Sequence, residues 1–262
     1  MQPNVSLTMI LKDEESNLPT CLSTVTDLVD EIVIVDTGST DRTREIALEF
    51  GARVVDFTWV DDFSAARNES LRHATGRWIL WLDADEWLAD EDRQRLRNLL
   101  ARLGDEKHGY IMQQLCSQQS SLAGPPRSAD HLVPQVRLFR NHPEIRWEHR
   151  VYEQIVGGVR RVGGDLRQTD VVIQHPGYED AGLHRRKIER NLRLARLELA
   201  DHPDDPYVLY TLGVFLQLLG NHAESLTCLQ DSLRYMRPGS TYGPKLFALI
   251  TQALDRTGHP HE

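Results

Sequence analysis

The sequence predicts an α/β fold for its first half, and two observations support this prediction. Apolar runs of six or seven residues recur along the chain, as VSLTMIL, EIVIVD, ARVVDF and RWILWL, which begin at Val5, Glu31, Ala52 and Arg77. Longer segments with the spacing of helices separate these runs. Continuous apolar runs indicate strands buried on both faces, and strands that alternate with helices form parallel sheets. We therefore predict a mostly parallel sheet with helices on both faces.

Apolar residues three or four positions apart predict the helices between these strands. The predicted helices cover residues 17–29, 41–50 and 62–74. We expect Ser39 or Thr40 to cap the second of them, because a hydroxyl oxygen accepts a hydrogen bond from a free N–H group of the first turn. Gly51 follows the same helix, where a left-handed residue commonly ends it.

From Gly109 onward the pattern changes to short apolar runs separated by glycine, proline and polar residues, which predicts an antiparallel or mixed extension of the sheet. The predicted strands are GYIMQQL, QVRLFR, RVYEQIV and DVVIQH, which begin at Gly109, Gln135, Arg150 and Asp170. We predict a mobile loop over residues 117–131. The pairs Gly157-Gly158 and Gly163-Gly164 are interpreted as hairpin turns.

The last third of the chain predicts helices alone, so we divide the chain into an α/β domain over residues 1–178 and a helical region over residues 179–262. Two predicted helices of this region meet at Gly220-Asn221. The spacing of leucine and glycine from Leu209 to Leu229 is close to that of tetratricopeptide (TPR) repeats. Because a short repeat array rarely stands alone, we expect the helical region to pack on the first domain or to form a homodimer.

Composition limits the class of protein. The formal net charge of −9 argues against general nucleic-acid binding. Three scattered cysteines without a CxxC pair argue against disulfides and zinc, and favour the reducing cytoplasm. The sequence has no apolar run long enough to span a bilayer, although the basic segment 184–196 allows peripheral contact with an anionic surface.

Acidic residues follow two of the predicted strands. Asp36 ends the second strand, and the cluster Asp83–Glu86 follows the fourth. Ligands of open α/β sheets bind beyond the carboxyl ends of the strands, and carboxylates collected there commonly hold a cation. Because burying a carboxylate is costly, we expect these acids to face a solvated crevice.

Four segments in order resemble family 2 glycosyltransferases of the GT-A fold. They are MILKDEESNLPTCLSTV, DEIVIVDTGSTDRTREIA, FSAARNESLRHATGRWILWLDADE and VRLFRNHPEIRWEHRVYEQI. The later IQHPGY, the basic helix and the repeat-like tail resemble the subgroup with a C-terminal TPR-like region. The resemblance covers nearly the whole chain, and its Asp83-x-Asp85 motif gains specificity from the strand before it.

This resemblance implies a nucleotide-sugar donor, with UDP favoured by family frequency, and a bound Mn²⁺ or Mg²⁺ ion. Asp85 would hold the metal directly, and His175 would complete the metal shell. Asp83 would support the metal through the ribose or a water molecule. A divalent cation stabilises the negative charge that grows on a leaving diphosphate.

The remaining donor contacts also follow from the resemblance. Asp36 would face the nucleobase, and Glu14 would lie near the base or the ribose. Arg67 would approach the diphosphate, since its planar guanidinium suits phosphate oxygens. Structural alternatives stay open: Asp36 as a helix cap, and Arg67 as an ordinary helix charge paired one turn away.

An inverting transfer needs a general base beside the acceptor, and Glu153 is the candidate. Related sequences carry glycine where this chain has His149 and histidine where it has Tyr152, so the acceptor side departs from the family pattern. Glu153 as an exposed edge residue and His175 as a turn residue are the alternative readings. The acceptor itself is unidentified, with a glycan, a lipid-linked precursor or a polypeptide as the candidates.

Two other functions compete with glycosyl transfer. A nucleotidyltransferase that makes activated sugars would normally show a glycine-rich signature near its N-terminus, which SLTMILKDEESN lacks. A non-catalytic scaffold would bind a sugar nucleotide and recruit a protein partner through its helical tail. The acids and Arg67 together speak against a scaffold, whereas His149 and Tyr152 keep it open.

Overall fold

The computed structural model describes residues 4–116, 131–175 and 181–258, and the structural statements below concern these residues. The chain groups into two compact units. The sheet unit comprises Met1–Glu148 and Glu153–Glu179, and the helical unit comprises His149–Tyr152 and Asp180–Glu262. The loop that we predict over residues 117–131 lies, apart from His131, outside the described residues.

The sheet unit contains a seven-stranded mixed sheet in the order β3-β2-β1-β4-β6-β5-β7. Strands β1 to β4 run parallel to one another, as predicted. Strand β6 pairs antiparallel with both β4 and β5, and β7 runs parallel to β5, which confirms the mixed extension. The strands are Val5–Leu11, Glu31–Asp36, Arg53–Asp56, Trp78–Trp81, Gly109–Cys116, His131–Arg140 and Leu166–His175.

Five α-helices accompany this sheet in the described residues, and three of them were predicted. They are α1 Leu18–Val25, α2 Thr43–Glu49, α3 Phe63–His73, α4 Asp90–Leu100 and α5 Val156–Arg161. Asp62 caps α3 by accepting a hydrogen bond from the Ala65 N–H group at 3.0 Å. The unpredicted α4 opens with three acidic residues, which the positive end of a helix dipole favours.

The apolar core lies on both faces of the sheet, because successive residues of a strand point to opposite faces. In β4, Trp78 and Leu80 join one cluster of buried side chains, while Ile79 and Trp81 join a second. All four residues are at most 6% exposed. Both faces of the sheet are therefore covered at β4, as its continuous apolar run predicts, whereas no residue of the edge strand β3 is buried.

Three local predictions in the sheet unit are wrong. The run RVYEQIV forms no strand: a single bridge joins Glu148 to Gln154, and α5 begins at Val156. Gly157-Gly158 lies inside that helix, and Gly163-Gly164 connects α5 to β7, so neither pair forms a hairpin turn. Gly158 is needed there, since a Cβ atom on it would lie 2.8 Å from the Cα atom of Ile145.

The third wrong prediction concerns the start of α2. Its capping residue is Arg42, whose side chain makes no capping hydrogen bond, and Asp41 accepts the N–H group of Thr43 instead. Ser39 bonds to Asp36 in the preceding turn. Gly51 follows the helix with φ of 75°, as predicted.

The helical unit contains α6 Ala181–Asp201, α7 Pro206–Leu218, α8 His222–Tyr235 and α9 Gly243–Thr257. Gly220 adopts φ of 83° in the turn between α7 and α8. Gly213 allows these helices to pack closely, since a Cβ atom on it would lie 2.6 Å from the Leu229 side chain. Among the described helices of the chain, none combines the length and the apolar character that a bilayer crossing requires.

Candidate active site

The acidic turn that follows β4 is partly buried and partly open. The side chains of Asp83 and Asp85 are 40% and 22% exposed, whereas that of Glu86 is fully buried. Asp36 at the end of β2 is also buried, at 2% exposure. The expectation that all these acids face a solvated crevice is therefore wrong for Glu86 and Asp36. In both cases hydrogen-bond donors within the fold replace the lost water.

Glu86 is matched by Arg137, a residue of β6 that the sequence analysis did not single out. The guanidinium of Arg137 donates to both carboxylate oxygens of Glu86, at 2.7 and 2.5 Å. Gln114 donates to the same carboxylate at 2.7 Å. The Arg137 guanidinium also lies over the Trp81 ring, 3.8 Å from its centroid. Burial raises the pKa of Glu86, and the charge of Arg137 only partly opposes that effect.

Arg67 joins two of the predicted site residues. From α3, its Nε donates to the Glu153 carboxylate at 2.5 Å and its Nη2 donates to Asp83 at 3.0 Å. The Arg67 side chain is only 8% exposed, and its guanidinium lies over the ring of Trp81. Desolvation would raise the pKa of the Asp83 carboxyl, but the charges of Arg67 and Arg137 outweigh it and lower that pKa.

His175 at the end of β7 faces Asp85. The distance between His175 Nε2 and Asp85 Oδ2 is 3.3 Å. A bridge between Trp87 and Gln174 holds the end of β7 beside the acidic turn, with both backbone hydrogen bonds formed. Burial alone would lower the pKa of His175, yet the hydrogen bond and the charge of Asp85 raise it.

The residues present fit a divalent cation that shares its ligands with a substrate. Asp85 and His175 supply a carboxylate and an imidazole that face one another, a donor set that suits Mn²⁺. Across the part of the chain that the structure describes, no three histidine, cysteine or acidic side chains form a complete metal cage. A cation that takes its remaining ligands from phosphate and water needs only one or two protein ligands.

Asp36 and Glu14 lie in the same region of the sheet but have local contacts. Asp36 accepts hydrogen bonds from the backbone of Gly38 and Ser39 and from Arg44 Nη1, the last at 3.0 Å. Its carboxylate is thus engaged by its own turn and by α2. Glu14 accepts a hydrogen bond from Asn17, and its backbone N–H donates to the hydroxyl of Thr43.

The two residues that depart from the family pattern have unusual backbone conformations. His149 and Tyr152 adopt φ values of 72° and 54°, in the left-handed region that glycine occupies at little cost. Within the helical unit, Glu198 contacts His149 at 3.4 Å, and the ring of Phe215 lies 4.8 Å from that of Tyr152. These contacts hold both side chains within the helical unit.

A sheet with acids, a histidine and a buried arginine beyond its parallel strands is typical of α/β domains that bind nucleotides. The model of glycosyl transferase family 2 matches residues 6–162, and the chain belongs to this family. A TPR repeat-containing protein of Synechococcus elongatus is 39% identical over 245 residues, which cover 89% of this chain. Its TPR repeats are consistent with the helical unit. The chain spans only 53% to 57% of the length of the curated relatives that match most of its sequence.

Two solved structures have a similar fold. S. aureus TarS 1–349 in complex with UDP-GlcNAc has a TM-score of 0.54 and 15% identity, and the match covers 98% of this chain and 90% of that one. The mannosyltransferase PcManGT from Pyrobaculum calidifontis, in complex with GDP-Man and Mn²⁺, has a TM-score of 0.52 and 17% identity, and covers 100% and 89%. These similarities confirm the predicted GT-A fold.

Proposed function

We propose that the protein is an inverting, metal-dependent glycosyltransferase that transfers a sugar from a nucleotide-sugar donor to a glycan, lipid-linked or polypeptide acceptor. One observation carries the proposal: Arg67 brings the carboxylates of Asp83 and Glu153 into one group. These residues lie 16 and 86 positions from Arg67 in the chain. If each of the three residues had only a local structural role, Arg67 would not need to contact both carboxylates.

The donor diphosphate would lie beside Asp83, Asp85 and His175. When bound, the cation neutralises the negative charge that develops on the leaving diphosphate. Asp85 and His175 would hold the cation from the protein side. Arg67 adds a fixed positive charge behind Asp83, at low exposure, where water screens it little.

Glu153 would accept the proton of the acceptor. A general base must lie within hydrogen-bond reach of that proton, so its carboxylate needs a defined orientation. The hydrogen bond from Arg67 Nε supplies this orientation, and the side chain stays 13% exposed. Part of the Glu153 side chain therefore remains open to solvent.

The fold supports a nucleotide-sugar donor but leaves its base open. TarS was solved with UDP-GlcNAc and PcManGT with GDP-Man, so proteins of this fold accept either nucleotide. We propose UDP as the first choice. Asp36 at the end of β2 and Glu14 after β1 would then contribute to the nucleoside side of the site.

Thermal unfolding with and without nucleotide tests the donor site. The melting temperature of the wild type is measured with UDP, GDP or dTDP, each with and without Mn²⁺. A ligand at one hundred times its Kd stabilises the folded state by about 2.7 kcal/mol, which gives a measurable rise. We expect one nucleotide to raise the melting temperature only with Mn²⁺, and Asp85→Ala to abolish the rise.

Asp90→Ala is the matched control, since the Asp90 side chain is 99% exposed at the start of α4. This variant should keep the full nucleotide response. The proposal fails if no nucleotide shifts a cooperative wild-type transition, which would favour the non-catalytic scaffold. The scaffold would also be favoured if the protein binds a nucleotide but neither transfers nor hydrolyses the sugar of any UDP- or GDP-sugar.

A further inference from the structure

We propose that Glu86 and Arg137 are positioning residues, which fix the acidic turn so that Asp83 and Asp85 meet the donor and its cation. The inference rests on the proposed function, because it assigns the turn to donor binding. It concerns two residues that would act through the turn and not by direct contact with the substrate or the metal. Both side chains are fully buried, at 0% exposure.

Stability alone does not explain this ion pair. Removing two charges from water costs several kcal/mol per ion, and well-packed apolar residues in place of a buried pair are often equally stable. Arg137 also occupies the middle of β6, where its neighbours Val136 and Leu138 are buried apolar residues. A charged pair at such a place indicates that its hydrogen bonds serve a further purpose.

Those hydrogen bonds close the acidic turn from both ends. The Asp83 N–H group donates to Glu86 Oε2 at 2.8 Å, and the Glu86 N–H group donates to the Asp83 carbonyl at 3.2 Å. The backbone between them carries Asp85. The direction in which Asp83 and Asp85 point is therefore set by the place of the Glu86 carboxylate.

Arg137 in turn fixes that carboxylate to the sheet. Its guanidinium makes two parallel hydrogen bonds to Glu86, a geometry that defines orientation as well as distance. Its neighbour Leu138 pairs with Leu80 in β4, the strand that leads into the turn. The sheet thus sets the position of Arg137, and Arg137 sets the turn.

The test compares two double variants that both remove the ion pair. Glu86→Leu/Arg137→Met replaces it with apolar side chains and removes the acceptor for the Asp83 N–H group. Glu86→Gln/Arg137→Met also removes both charges, but the amide oxygen can still accept that hydrogen bond. The comparison separates the hydrogen bond to the turn from the charges themselves.

Two measurements are made on the full chain. The affinity for Mn²⁺ with UDP or GDP is measured by calorimetry, and hydrogen exchange is followed at the Asp83 amide. Partners that orient metal ligands typically contribute roughly 10- to 100-fold to metal affinity. We expect a loss of this size and faster Asp83 exchange in Glu86→Leu/Arg137→Met, with most of both effects reversed in the glutamine variant.

Asp92→Leu/Arg95→Met is the matched control. Asp92 is a buried carboxylate that accepts a backbone N–H group from Val172 and a hydrogen bond from Arg95, so it repeats the pattern outside the acidic turn. The Asp92→Leu/Arg95→Met variant should leave hydrogen exchange at the Asp83 amide unchanged and should affect nucleotide affinity only slightly. The melting temperature of each variant shows the fraction folded under the assay conditions.

The outcomes separate this inference from the proposed function. Wild-type affinity in a folded Glu86→Leu/Arg137→Met variant overturns the positioning role, as does equal loss in both double variants. If the wild type binds neither nucleotide, the proposed function fails, and the exchange of the Asp83 amide still decides whether Glu86 fixes the turn.

Discussion

Arg67 shows how one side chain organises a site from distant parts of the sequence. It pairs with both Asp83 and Glu153, so removing it leaves two carboxylates without their shared partner, and that of Glu153 is only 13% exposed. Breaking a buried ion pair typically costs 3–5 kcal/mol. Asp83 is 40% exposed, so we expect the lower end of this range. Arg67→Met should lower the free energy of unfolding by about 3 kcal/mol, as measured by urea denaturation.

A second arginine on the same helix serves as the control for that measurement. Arg72 is 71% exposed and pairs with Glu69 one turn earlier. Exposed pairs of this kind contribute about 0–1 kcal/mol, so Arg72→Met should be nearly neutral. Equal effects of the two substitutions would mean that the buried contacts of Arg67 contribute no more to stability than an exposed helix pair does.

The sequence contained enough information for some site residues and not for others. Asp83, Asp85 and His175 stand in motifs that a family resemblance makes visible. Glu86 and Arg137 also lie in resembling segments, but their pairing was not predicted, because an arginine in an apolar strand has a meaning only when its partner is known, and the partner is 51 residues away. The available signal was Arg137, which stands between the apolar residues Val136 and Leu138, where a buried strand excludes an unpaired charge.

At the level of elements, local patterns predicted most strands and helices. The four parallel strands and α6 to α9 were predicted because their apolar spacing is a local property. The run RVYEQIV failed because its apolar residues pack on different partners. Val151 is buried as part of the helical unit, whereas Ile155 belongs to a core cluster of the sheet unit. The sequence alone does not distinguish the apolar–polar alternation of a strand from a segment whose apolar side chains belong to two different units.

Helix α6 carries a carboxylate whose ionisation should affect stability. Glu198 accepts the Arg150 N–H group at 2.6 Å and faces His149. Desolvation opposes ionisation, but these hydrogen bonds outweigh it and hold the pKa of Glu198 below its ordinary value of 4.5. The folded state therefore binds its proton less readily than the unfolded state. The resulting stabilisation is complete above the unfolded pKa and is lost as the pH falls through the folded pKa.

We expect Glu198→Gln to lower the melting temperature at neutral pH and to lose less stability than the wild type between roughly pH 5 and pH 3. Calorimetry at several pH values measures both effects. Glu224→Gln is the control, because Glu224 forms an ion pair at 50% side-chain exposure and should have little influence on the slope. If the melting temperature of Glu198→Gln fell with pH as steeply as that of the wild type, other groups would dominate the acid response.

At the level of the whole molecule, the two units have separate apolar cores. Leu22 is fully buried in the core of the sheet unit, and Leu229 is fully buried in that of the helical unit. Removing such a leucine typically costs 2–5 kcal/mol. We expect Leu22→Ala and Leu229→Ala each to speed hydrogen exchange mainly in its own unit, since cooperative units open separately.

The segment His149–Tyr152 makes this prediction specific, because it lies within the family-matched part of the sequence but groups with the helical unit. Two hydrogen bonds hold its backbone there. The Arg150 N–H group donates to the Glu198 carboxylate, and the Tyr207 hydroxyl donates to the Tyr152 carbonyl at 2.9 Å. Amides of this segment should therefore exchange faster in Leu229→Ala and keep wild-type rates in Leu22→Ala. Equal responses of every segment to both substitutions would show that the chain unfolds as one cooperative unit.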